Sequence, residues 1–163
     1  MAGPGVLPCP KPGLRERGPL GLGQVARIGA QVADALAAVH ALGTQHHDVT
    51  PGNVLIAEDG TAKLTDFGIS QFTGDVHLTQ TGTICGTCAY LAPEVARTGK
   101  SSSASDVFSL GSTLYAAIEG QPPFGTADNA LQMFNIVGVG IIRPPTAAAA
   151  FTPLGGGGPT GRY

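Results

Sequence analysis

Asp48, Asn53 and Asp66 carry oxygen donors at spacings that invite chemistry. In "QHHDVTPGN", residues 45 to 53, the aspartate precedes the asparagine by five residues. Such a pair suits phosphoryl transfer, where a carboxylate orients an acceptor hydroxyl and takes its proton while other oxygens hold a hard cation against phosphate. The same stretch permits a second reading. His46, His47 and Asp48 could be metal ligands, with Cys85 and Cys88 of "CGTC" as a further metal or redox pair. Adjacent histidines in extended chain point apart, and structural zinc generally uses two such cysteine pairs. The CxxC also lies in a threonine-rich stretch instead of opening a helix after a strand. Cys88 is therefore read as a loop residue, and His40 and His77 as helix-surface and loop histidines without a role.

The flanking elements must position these groups. Val25, Ile28, Val32, Leu36 and Val39 recur at intervals of three and four, one apolar stripe of a helix, and Gly43 falls where a left-handed cap would end it. "NVLIAEDGTAKLTDFG" reads as two short strands around an Asp59-Gly60 turn, with Asn53 before the first and Asp66 after the second. Residues 71 to 87 are polar and threonine-rich, the length of a functional loop. A second helix is expected from Ser105 as N-cap, with Val107, Leu110, Leu114 and Ile118 on one face and Gly120 closing it. A weaker helix is expected over 128 to 137.

At 163 residues the chain suits one domain. Its net charge of -2 and scattered basic residues point to neither nucleic acid nor an anionic membrane. Residues 1 to 13, with four prolines, are expected to be irregular, and the Ala/Gly/Pro-rich segment 144 to 163 disordered. The start lacks a basic, then apolar, leader, and the three cysteines form no even framework, so a soluble cytoplasmic protein is expected.

"HHDVTPGN", "DFG" at 66 to 68 and "APE" at 92 to 94 occur in an order that resembles the catalytic core of the protein kinases, in particular the bacterial serine/threonine kinases. The hairpin between the first two motifs and "GTCAYLAPE" running toward "SDVFSLG" strengthen the resemblance, which extends from about Leu14 to Phe124. It implies a mainly α fold with a small β-hairpin: a kinase-like C-terminal lobe, incomplete, over residues 14 to 143. It also implies ATP and Mg2+ as cofactors, Asp48 as the catalytic carboxylate, Asn53 and Asp66 as magnesium ligands, and Thr87 as the threonine typical of serine/threonine specificity. Leu55 would floor the adenine site. His46 would pack on Phe67, Gly68 would be a hinge, and Asp106 would brace the catalytic loop. Glu94 would pair with a distant arginine, and Thr79, Thr81 and Thr83 are the candidate phosphosites.

The match departs from the family at four places. His47 stands where an arginine reads the phosphorylated loop, and Thr50 where a lysine faces the transferring phosphate. Nothing before Leu14 resembles the Gly-rich loop or the strand lysine, so the chain is expected to supply half a cleft. After Phe124 the pattern dissolves, leaving apolar faces open. Two readings follow. One is a truncated serine/threonine kinase, weak or inactive alone, acting on a protein substrate with a missing-lobe or full-length kinase as partner. The other is a non-catalytic binding module or truncated-gene product.

Overall fold

The computed structural model describes Leu14, residues 20–67 and residues 86–146. Among them are four helices and one hairpin, the mainly helical chain with little β-structure that was expected. Helix α1 spans Leu22–Ala41 and buries Val25, Ile28, Val32 and Leu36. It ends as the sequence predicts. Gly43 adopts a φ of 73°, and the Gly43 and Thr44 N–H groups donate back to the carbonyls of His40 and Val39, a Schellman closure.

Strands β1 (Val54–Ile56) and β2 (Ala62–Leu64) pair antiparallel, with Val54 opposite Leu64 and Ile56 opposite Ala62. Gly60, with φ 84°, supplies the left-handed position of the turn. So small a hairpin is marginal by itself. It is docked on α1 through Gln31, whose Oε1 accepts from the Ala62 N–H (3.0 Å) and whose Nε2 donates to the Gly60 carbonyl (3.3 Å).

A 3-10 segment, Gly86–Tyr90, leads to the short helix α2 (Pro93–Thr98). Helix α3 spans Ser103–Glu119. The expected Ser105 N-cap is corrected to Ser102. Ser102 Oγ accepts from the Ser105 N–H, while Ser105 Oγ accepts from the Ser102 N–H, so Ser105 is the inner member of a reciprocal box. Val107 is likewise corrected: it is 58% exposed. The face α3 buries is largely polar, comprising Ser105, Asp106, Ser109, Ser112 and Thr113 beside Leu110 and Ala117. Where α3 crosses α1, Gly29 leaves room for the end of the Leu114 side chain. A Cβ there would lie 2.8 Å from Leu114 Cδ1.

The core has two parts. The stripe of α1 meets Val49, the hairpin residues Val54, Ile56 and Leu64, and Leu110 and Ala117 of α3. A second cluster joins Cys88, Leu91, Ala92 and Val95 to Phe124 and to Met133 and Val137 of α4, Ala130–Val139. Order therefore continues past Phe124 through the helix expected over 128 to 137, although Leu131, Val139, Ile141 and Ile142 remain exposed, as open apolar faces there would have it. Asn129 Oδ1 caps α4 by accepting from the Gln132 N–H, and Met133 and Val137, one turn apart, close over α2. Beyond α4, Arg143 donates its N–H to the Pro123 carbonyl and its guanidinium lies over Gly125. Among the described residues no helix is long and apolar enough to cross a membrane.

Candidate active site

The loop between α1 and β1 is gripped from α3 by one carboxylate. Asp106, 2% exposed, accepts the backbone N–H of His46 on Oδ2 (2.8 Å) and that of His47 on Oδ1 (2.9 Å). His40 Nε2 lies 2.8 Å from the same Oδ2. A second tie comes from Thr113, whose hydroxyl donates to the Val49 carbonyl (3.0 Å). These bonds bend the loop enough to put His47 at φ 69°, a backbone that favours glycine.

His46 is fully buried. Its Nε2 donates to the Thr65 carbonyl (2.9 Å) and its Nδ1 accepts from the Asp48 N–H (3.3 Å). Burial, partly offset by the Thr65 carbonyl, holds its pKa below the ordinary histidine value, so the ring is a neutral spacer between the loop and the end of β2. Phe67 covers it, with centroids 4.5 Å apart. The two adjacent histidines have different partners, because His47 Nδ1 lies 2.6 Å from Ser101 Oγ. They do not form one ligand pair.

The Asn53 amide donates twice to Asp48, once to its backbone carbonyl and once to its Oδ2, each at 2.8 Å. With both side-chain donors used and the backbone carbonyl taken by Thr65, Asn53 Oδ1 is the group left for a cation. Asp48 Oδ1 is buried without a partner, which is costly unless a ligand meets it. Desolvation raises the Asp48 pKa above the ordinary carboxylate value, with the Asn53 bond pulling the other way. Asp66 is exposed, in a left-handed backbone (φ 60°), with a long 3.4 Å bond from the Thr65 hydroxyl. Two oxygens thus stand largely uncommitted on either side of the hairpin, a donor set that fits a hard cation such as Mg2+.

Asp48, Thr50, Asn53 and Thr87 line one cavity of about 540 Å3, with Met133 of α4 also in its wall. Leu55 is half-buried on the hairpin face opposite Val54 and Ile56. Glu94 lies in the first turn of α2, where the dipole favours a negative charge. Gly68, Cys85, Thr79, Thr81 and Thr83 lie outside the described residues. Cys88 is buried in the second core cluster.

Sequence reasoning missed His40, Ser101 and Thr113. Asp106, Ser109 and Thr113 do recur at helical spacing, and a polar stripe on an otherwise apolar helix was the available signal.

A family model described as the protein kinase domain matches residues 11–147. The serine/threonine-protein kinase PknL of Mycobacterium tuberculosis is 43% identical over 120 residues, 74% of this chain and 30% of PknL. PkaA of Streptomyces coelicolor is 47% identical over 115 residues, 69% of this chain and 21% of PkaA. Among solved structures, Rad53 1-466 in complex with AMP-PNP superimposes with a TM-score of 0.61 at 31% identity, covering 80% of this chain and 32% of that one. The chain belongs to the protein kinase family, on its serine/threonine branch, and spans about a third or less of the relatives it matches. The match runs past Phe124 because α4 continues the fold.

Proposed function

We propose that this chain supplies the acceptor-orienting and cation-holding side of an ATP-dependent serine/threonine kinase site. The carrying observation is the carboxylate of Asp48: one oxygen is pinned by Asn53 and the other is buried and unpartnered beside a cavity that Thr87 also lines. In phosphoryl transfer such a group orients the acceptor hydroxyl and takes its proton, and a pKa raised by burial makes it a better base. Asn53 and Asp66 would hold Mg2+, which when bound neutralises charge on the phosphates. Leu55 would meet the adenine, a reading supported by the AMP-PNP in the Rad53 structure. Thr87 would favour a hydroxyl on serine or threonine of a protein substrate.

The charge opposite the transferring phosphate is short by one, since Thr50 stands in the place of a lysine. Within residues 1–163 nothing resembles the Gly-rich loop or the strand lysine. Full turnover would therefore draw on a second lobe, from the same polypeptide or a partner kinase. Thr50 also supports the alternative of a non-catalytic binding module. A cytoplasmic setting, where ATP is at home and an odd set of three cysteines needs no disulfide framework, goes with the kinase reading.

Labelled ATP and magnesium decide between them. Phosphate incorporation into the chain or a generic protein substrate, weak without a second lobe and lost in Asp48→Asn and Asp66→Ala, is expected. Incorporation equal in wild type and both variants would defeat the catalytic reading.

A further inference from the structure

His47 precedes Asp48 directly, and its left-handed backbone is unfavourable for a residue with a Cβ. Two groups meet it there. Its N–H donates to Asp106 Oδ1 (2.9 Å), a bond any residue other than proline at this position could make. Its ring Nδ1 lies 2.6 Å from the hydroxyl of Ser101, and that bond depends on the side chain. Ser101 is in the connection between α2 and α3, one residue before the Ser102 cap, so the element that anchors Asp106 also anchors the ring. Backbone and side chain of residue 47 are thus held from one rigid helix start.

We propose that Ser101 is a positioning residue for Asp48, acting through the ring of His47. By holding the ring against the start of α3, the hydroxyl holds the left-handed turn and with it the direction in which the next residue's carboxylate leaves the loop. The partner is an uncharged group of the same lobe, so the turn needs no charged group from elsewhere to keep it. The proposal rests on the reading of Asp48 as the acceptor-orienting carboxylate.

The test uses the full chain without nucleotide, so that its failure is distinct from a failure of the kinase reading. Ser101→Val and Ser101→Thr share a shape and differ in the hydroxyl, and Ser101→Ala is a smaller second deletion. NMR follows the His47 ring nitrogens and the hydrogen exchange of the His47 and Asp48 amides. In the Ala and Val variants the ring signals are expected to shift and exchange at both amides to rise about fivefold, the effect of one lost hydrogen bond. Ser101→Thr is expected to restore both, with the α1 amides unchanged throughout. Wild-type ring signals and exchange rates in Ala and Val, or failure of Thr to restore them, would overturn the proposal.

Discussion

Replacing Asp106 with asparagine keeps its shape and removes one acceptor. In the native chain Oδ2 takes the His46 N–H and His40 Nε2, while Oδ1 takes the His47 N–H. An asparagine can place its carbonyl on only one side. With the carbonyl at the Oδ2 position, its NH2 group confronts the His47 N–H, leaving a buried donor unsatisfied. With the opposite orientation, two bonds are lost. The first arrangement is the less costly. One unsatisfied buried donor, plus the weakening of two bonds that lose a charged acceptor, amounts to about 2–4 kcal/mol. Relief of the carboxylate's own desolvation offsets part of this, but three short bonds already compensate that burial. For a chain of this size such a loss lowers the melting temperature by roughly 6–12 °C. Urea unfolding at pH 7, followed by circular dichroism, measures it. Amide exchange locates it at residues 46 and 47. A variant within about 0.5 kcal/mol of wild type, the scatter of ordinary surface changes, would refute the claim that Asp106 holds the loop.

Thr50→Lys is expected to raise magnesium-dependent phosphate incorporation roughly tenfold or more, because one charge-assisted contact contributes about 1.5–3 kcal/mol; an unchanged initial rate would show that position 50 does not face the phosphate. Stability should fall below about pH 6.5 through His46: its folded pKa lies below the ordinary 6.5, so the unfolded state binds the extra proton and stability rises with pH up to that value. Melting curves from pH 5 to 8, with the fall blunted in His46→Gln, check this. Asp48 acts with the opposite sign. Its pKa is raised above 3.8, so the folded state takes up a proton first and ionisation at neutral pH is a cost. Asp48→Asn is therefore expected to melt higher than wild type at pH 7, with the gain fading toward pH 4, while phosphate incorporation is lost.

Elements with a strong apolar period or explicit turn chemistry were legible in the sequence. The stripe Val25 to Leu36 and the cap at Gly43 gave α1 to within a few residues, and Asp59-Gly60 gave the hairpin. Helix α3 was harder because the face it buries is hydroxyl-rich and carries a carboxylate, so the apolar period pointed partly outward, at Val107. Its start was displaced because two serines share the cap, and only their reciprocal bonds tell which is outer. The weaker helix expected over 128 to 137 is α4, Ala130–Val139, but what it packs on was not legible: Met133 and Val137 gain their meaning from α2, which offers no long stripe of its own. In the site, the oxygen-bearing residues stood out by type and spacing. What holds them did not. His40, Ser101 and Thr113 act over separations of 54 to 66 residues, and nothing local in their sequence marks a partner so distant.

The central claim is that Asp48, Asn53 and Asp66 form a site for a magnesium-bound nucleotide. Melting the full chain with and without Mg-ATP tests it most directly. Ligand at about a hundred times its dissociation constant stabilises a folded chain by about 2.7 kcal/mol, a rise of several degrees. That rise should require magnesium and vanish in Asp66→Ala. Identical melting of wild type with and without saturating Mg-ATP, or a rise that Asp66→Ala retains in full, would contradict the account.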